Sequence, residues 1–138
     1  MGCSDSRASP EIIFDRSIGD IFVIRVAGNV LGQLELDSIE YSILHNGSVV
    51  VVVLGHENCG AIKAVLSNDT KDIEAVAKLI TPAIADAKGS IEMAVKANVR
   101  SIVSNLNQNQ TIKKYIDQGK LKIVGGYYNL SSGKVDFI

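Results

Sequence analysis

The run Val49-Val50-Val51-Val52-Val53-Leu54 has neither a polar interruption nor any alternation. A half-buried strand alternates apolar with polar, so a short β-branched run without alternation implies burial on both faces, as in the centre of a parallel sheet. Parallel strands need crossover connections, and helices usually supply them. This one run therefore points to an α/β domain. It ends at Gly55, which releases the chain into the turn His56-Glu57-Asn58-Cys59-Gly60.

The flanking segments agree. Ile21 to Val26 is nearly all β-branched or aromatic and reads as a strand closed by Ala27-Gly28-Asn29, with Arg25 its one charge. Leu36, Ile39, Ile43 and Leu44 recur at helical spacing before Asn46-Gly47. Ser9-Pro10-Glu11 resembles a helix start, and a helix is expected to begin near Cys59 and reach Asn68-Asp69. Further helical patterns cover Asp72 to Lys88, Ile91 to Asn107 and Thr111 to Gln118. Strands are expected at Leu121 to Tyr128 and Val135 to Ile138. The expected architecture is a mostly parallel central sheet flanked by helices, in a single domain over residues 1–138.

Composition narrows the function classes. Lys and Arg total 14 against 15 Asp and Glu, a net charge of -1, so no strong field favours nucleic acid or an anionic membrane. No apolar run approaches the ~20 residues that span a bilayer, and no basic-then-apolar leader opens the sequence. The chain reads as cytoplasmic. Its two cysteines, Cys3 and Cys59, can form one disulfide, stand as incidental thiols, or serve a metal or catalytic site. Motif context decides among these.

His56 and Cys59 stand three apart across a strand-to-helix turn and can face a common point. That turn is the carboxyl end of a parallel strand, where ligands bind in open α/β sheets. A helix N-terminus at Cys59 favours the thiolate that a metal needs. Near the start, Cys3-Ser4-Asp5-Ser6-Arg7 holds the other cysteine. In an extended segment Cys3, Asp5 and Arg7 project to one side. If the two stretches meet, two sulfurs and one nitrogen suit zinc and leave a fourth position for water, the mark of a catalytic site. Asp5 can then accept a hydrogen bond from the nucleophile, and Arg7 can hold Asp5 by a charge-assisted pair. The plainer alternatives are a turn histidine bonded to a carbonyl for His56 and a surface ion pair for Asp5 and Arg7.

Cys3-x-Asp5-x-Arg7 with His56-x-x-Cys59 resembles the β-class carbonic anhydrases. The resemblance extends to Phe22 through Asn29, to Ser38-Ile39-Glu40-Tyr41 and to Gly119 through Ile138, so it spans nearly the whole chain. It implies reversible hydration of carbon dioxide to bicarbonate and a proton by a zinc-bound hydroxide. Cys3, His56 and Cys59 match the zinc ligands, and Asp5 and Arg7 match the catalytic dyad. In some members the aspartate itself takes the fourth zinc position in a closed, inactive form, which gives Asp5 a second role. Phe22, Ala27, Tyr41 and Gly60 match positions lining the small apolar substrate pocket, although Phe22 and Tyr41 fit a hydrophobic core equally well. The resemblance also implies a homodimer or higher homo-oligomer. Arg25 has a structural reading beside any role in the site, and His45 reads as a helix-end histidine rather than a proton shuttle.

The chain departs from the family at its start. Members carry an apolar strand and helices before Cys-x-Asp-x-Arg, whereas Met1-Gly2 alone precede Cys3 here. The expectation is an N-terminally incomplete sheet whose neighbouring strands lack backbone pairing. Three explanations follow: a fragment, a gap filled by another strand or chain, or a degraded relative. The absence of tryptophan removes the tryptophan-dependent bicarbonate inhibition site of some members. Competing functions on the same scaffold are hydrolysis of carbon disulfide or carbonyl sulfide, and zinc binding without turnover.

Overall fold

The computed structural model describes residues 1–85, 87 and 89–138. The chain runs β1 (Gly2–Cys3), α1 (Pro10–Ile13), β2 (Arg25–Val26), α2 (Gln33–His45), β3 (Val50–His56), α3 (Gly60–Leu66), α4 (Glu74–Ile84), α5 (Ile91–Gln108), α6 (Gln110–Asp117), β4 (Lys122–Asn129) and β5 (Lys134–Phe137). Short 3-10 turns lie at Ser6–Ala8 and Ala27–Asn29. The five strands form one sheet in the order β2-β1-β3-β4-β5, and only β5, paired to β4, is antiparallel. This is the mostly parallel α/β architecture expected from the Val49–Leu54 run.

The backbone of the sheet is β3 against β4, paired without a break from Val50–Lys122 to His56–Tyr128. Helix α5 is capped by Ser90, whose side chain accepts from the Met93 N–H, and buries Ala94, Val95, Asn98, Val99, Ile102 and Leu106 at helical spacing. It lies so close to the sheet that a Cβ on Gly55 would stand 2.6 Å from Val95 Cγ1 and 2.8 Å from Val99 Cγ2. Glycine at 55 thus sets the depth at which the next residue, His56, is presented. Buried residues gather in two clusters, one around Ile62, Ile80, Val95 and Tyr127 that includes Cys3 and Cys59, the other around Ile39, Val53, Val99, Leu106 and Ile112.

Several elements differ from expectation for identifiable reasons. Of the strand expected at Ile21 to Val26, only Arg25 and Val26 pair, because β1 offers just Gly2 and Cys3 as partners. Val51, Val53 and Leu54 are buried as expected, but Val49 and Val50 are 64% and 51% exposed. On that edge β3 pairs with β1 only at Leu54, so its first residues have no neighbour there. Helix α4 ends at Ile84, and the expected extension to Lys88 crosses Asp86 and Lys88, which lie outside the described residues. The first strand is short rather than missing. Met1 N donates to Val52 O at 2.9 Å, Leu54 N to Met1 O at 2.9 Å, and Gly2 N to Ile24 O at 2.9 Å, which places β1 between β2 and β3. Among the described residues no helix is long and apolar enough to cross a membrane.

Candidate metal centre

β1 and β3 end side by side, and that adjacency brings the two halves of the site together. Cys3 closes β1, His56 closes β3, and Cys59 is the residue before α3. The turn between His56 and Cys59 needs Asn58 at φ 53, a left-handed conformation that asparagine tolerates better than most residues. The Cys3 and Cys59 sulfurs and a ring nitrogen of His56 lie within 4.8 Å of one another, and all three residues are buried. Both cysteines are free thiols, so the disulfide alternative does not hold.

The donor set fits a zinc ion. His56 Nδ1 stands 2.9 Å from the Glu57 carbonyl, which can only accept, so the proton belongs on Nδ1 and the Nε2 lone pair is left free. Nε2 is buried and has no hydrogen-bond partner. Such an orphan is costly in a protein interior, and a metal ion would satisfy it. Donors around tetrahedral zinc stand about 3.5 to 3.8 Å apart, so shifts of about 1 Å bring these three to bonding geometry. The two thiols share a hydrogen bond. The hydrogen bond from Cys59 pulls Cys3 down to about 4 against the opposing effect of burial. The same bond, together with burial, pushes Cys59 up.

Asp5 and Arg7 sit at the rim. Arg7 Nε donates to Asp5 Oδ1 at 2.9 Å and Nη2 to Oδ2 at 2.7 Å, a two-pronged pair to which the Arg7 backbone N–H adds a third bond at 2.9 Å. The side-chain bonds from Arg7, with burial opposing, hold the Asp5 carboxyl well below the usual carboxylate range. Asp5 Oδ2 lies 3.9 Å from His56 Nε2, close enough to face anything bound there. The local backbone is not the extended segment expected: Asp5 caps the 3-10 turn Ser6–Ala8, and that turn carries Arg7 back over the carboxylate.

The other anticipated residues are divided. Ala27 follows Val26, the register partner of Cys3, and Gly60 adjoins Cys59 with open space where a Cβ would be. Phe22 and Tyr41 meet each other with ring centroids 6.2 Å apart, 43% and 52% exposed. Tyr41 also stacks on His45 at 4.9 Å, which leaves His45 on the outer face of α2.

Three further residues support the centre, and of these only Arg25, the one charge in its strand, stands out in the sequence. Arg25 donates from Nε to the Cys3 carbonyl at 2.8 Å and from Nη2 to the Asp5 carbonyl at 2.6 Å. Asn98, buried on α5, donates from Nδ2 to the Gly28 carbonyl at 3.0 Å. Glu57 accepts from the Ser131 backbone N–H at 3.1 Å, tying the His56 turn to the β4–β5 hairpin. Each acts across 20 or more residues of sequence, a distance at which spacing rules carry no information.

Comparison with known proteins places this arrangement. Residues 1–135 match the family model described as carbonic anhydrase. A carbonic anhydrase of Mycolicibacterium smegmatis is 35% identical across 99% of this chain and 71% of its own length. Carbonic anhydrase 2 of Mycobacterium tuberculosis is 37% identical across 97% and 70%. Among solved structures, the β-carbonic anhydrase CafA of Aspergillus fumigatus superposes with a TM-score of 0.88 at 26% identity, covering 99% of this chain and 72% of that one. One of two tetrameric β-carbonic anhydrases from Sordaria macrospora gives 0.85 at 25% identity, covering 99% and 77%.

Proposed function

The chain belongs to the carbonic anhydrase family of enzymes, and from that premise we propose that it hydrates carbon dioxide reversibly to bicarbonate and a proton, using Zn²⁺ held by Cys3, His56 and Cys59. The observation that carries this reading is the partnerless Nε2 of His56, buried beside two free thiols and within 4 Å of an ionised carboxylate. Bound zinc would acidify a water molecule, so that a nucleophile is available near neutral pH.

The chain's own residues account for orientation. A carboxylate held as firmly ionised as Asp5 is a poor proton acceptor, so its contribution is to accept a hydrogen bond from the nucleophile and aim it. Arg7 fixes both Asp5 oxygens and thereby fixes that aim. The same two bonds favour a site whose fourth position is open, because Asp5 must give up Arg7 before it can enter the coordination sphere. Carbon dioxide offers little to hydrogen-bond and suits a small apolar approach past Ala27 and Gly60. The proton released returns to solvent, since Asp5 does not carry it.

A homo-oligomer is part of the reading. The exposed apolar residues Phe22, Tyr41, Ile12 and Leu44 supply surface that an isolated chain leaves in water, and the Sordaria relative is described as tetrameric. A cytoplasmic setting fits as well, because two thiols that must stay reduced need a reducing compartment.

The test combines metal content with stopped-flow hydration of carbon dioxide. About one zinc per chain and turnover dependent on it are expected. Zinc without turnover would reduce the protein to a metal-binding relative, and sulfide release from carbonyl sulfide well above hydration would reassign the substrate.

A further inference from the structure

Helix α5 reaches both halves of the metal centre. Val95 and Val99 lie against Gly55, the residue before His56. Asn98, buried on the same face of the helix, donates from Nδ2 to the Gly28 carbonyl at 3.0 Å. Gly28 lies just past Val26, the register partner of Cys3, and its backbone N–H donates to Cys3 Sγ alongside that of Asp5. Cys59 Sγ likewise accepts from two backbone N–H groups, those of Ala61 and Ile62. The donors differ in what holds them. Asp5, Ala61 and Ile62 are near neighbours in sequence of the cysteine they serve, so the local backbone carries them. Gly28 comes to Cys3 from a distant part of the chain, and only tertiary contacts keep it there.

The turn Ala27–Asn29 does not hold its own shape. Gly28 at φ 67 and Asn29 at φ 44 are consecutive left-handed residues, a conformation that persists only where its surroundings impose it. Asn29 is fully buried with both amide atoms unpartnered, so its side chain adds a desolvation cost and no bond. Packing imposes part of the shape, since a Cβ on Gly28 would stand 2.9 Å from Ile80 Cδ1 and 3.1 Å from Ala61 Cβ. Packing is without direction, however, whereas the bond from Asn98 fixes where the Gly28 carbonyl points. It thereby fixes the rotation of the residue whose N–H faces the sulfur.

On the zinc reading of Cys3, His56 and Cys59, we propose that Asn98 is a positioning residue of the metal centre: by pinning the Gly28 carbonyl it aims the Gly28 N–H at Cys3 Sγ. That N–H draws electron density from the sulfur and so tunes what Cys3 offers a metal. One face of α5 then governs both halves of the site, the depth of His56 through Val95 and Val99 and the sulfur of Cys3 through Asn98.

The test compares the 138-residue chain with Asn98→Leu, which keeps the volume and loses the donor, and with Ile102→Ala, a cavity one turn along the same helix that leaves the Gly28 bond in place. Chelator competition measures zinc affinity, and the cobalt-substituted proteins report the thiolate-to-metal charge-transfer band. Asn98→Leu is expected to bind zinc ~10-fold or more weakly and to shift that band to longer wavelength, while Ile102→Ala matches the unsubstituted chain in both. Amide hydrogen exchange on the unsubstituted, zinc-loaded chain needs no variant and decides where Asn98→Leu does not fold: the Gly28 N–H should exchange as slowly as the amides around Asn98. Rapid exchange at Gly28, an unshifted band in Asn98→Leu, or equal losses in Ile102→Ala would overturn the role of Asn98 and leave the zinc reading standing. No metal uptake by the unsubstituted chain would overturn the zinc reading, and the role of Asn98 with it.

Discussion

Arg25 reaches from β2 across β1 and donates to the carbonyls of Cys3 and Asp5, at 2.8 and 2.6 Å. One guanidinium thus clamps the backbone on both sides of Ser4, holding a candidate metal ligand and the carboxylate that faces it in a fixed relation. Replacement by lysine keeps the charge but cannot span both carbonyls. Arg25→Lys should therefore weaken zinc binding by about 10-fold or more, the usual scale for groups that orient ligands. Competition with a chromophoric chelator measures this directly, and unchanged affinity would make Arg25 a purely structural strand residue.

Asp5→Asn should retain zinc and lose hydration activity by roughly 100-fold or more, the range for a group that aims a reacting partner. Its pH dependence follows from the lowered carboxyl. A depressed acid stabilises the fold in full above its unfolded value, about 3.9, and loses that contribution only as pH falls through the folded value. The melting-temperature difference between wild type and Asp5→Asn should stay constant from pH 8 to about pH 5 and shrink in stronger acid. A difference that fades near neutrality would show that Arg7 does not hold Asp5 in solution.

Zinc removal should destabilise the fold, because Cys3, His56 and Cys59 come together only in the native state. At free zinc 1,000-fold above its dissociation constant the ion contributes about 4 kcal/mol, so chelation should lower the melting temperature by about 10 °C or more. Cys59→Ser should melt at the same temperature with and without zinc. Retention of the zinc-dependent shift in Cys59→Ser would remove Cys59 from the ligand set.

Gly55→Ala tests the seating of His56. The added methyl meets Val95 and Val99 at 2.6 and 2.8 Å, and forcing a methyl into a packed core typically costs 1 to 3 kcal/mol. Denaturant unfolding should register that loss. Paired with Val95→Ala, which opens the space, the variant should recover part of it; failure to recover would mean that α5 does not set the depth of His56.

Hydration activity should rise with pH above neutrality. Two thiolates cancel the charge of a divalent ion and leave it less able to acidify water than a three-histidine site, where the value is about 7. A stopped-flow profile already flat from about pH 6.5 upward would contradict this.

Much of this architecture is legible in the chain because local rules dominate it. The unbroken valines of β3 and the helical spacing of α5 declare themselves through period and burial. His56 and Cys59 are readable for the same reason, since only Glu57 and Asn58 separate them and the strand they follow has a visible end. The pairing of Ile21 to Val26 is not legible, because whether a β-rich segment forms a ladder depends on what lies beside it. Nor is the 3-10 turn at Ser6–Ala8, where the Asp5 side chain captures the Arg7 N–H and overrides the alternation that Cys3, Asp5 and Arg7 suggest. Phe22 and Tyr41 show the limit of residue type alone, which does not foretell that the two rings meet each other across 6.2 Å.

The tie between the His56 turn and the β4–β5 hairpin also bears on how this end of the sheet opens. Glu57 accepts from the Ser131 backbone N–H, and Glu57 N donates to Tyr128 O at 2.8 Å. The turn that carries His56 and Cys59 and the hairpin beside it therefore loosen as one unit, and amide exchange at the two should report a single opening event.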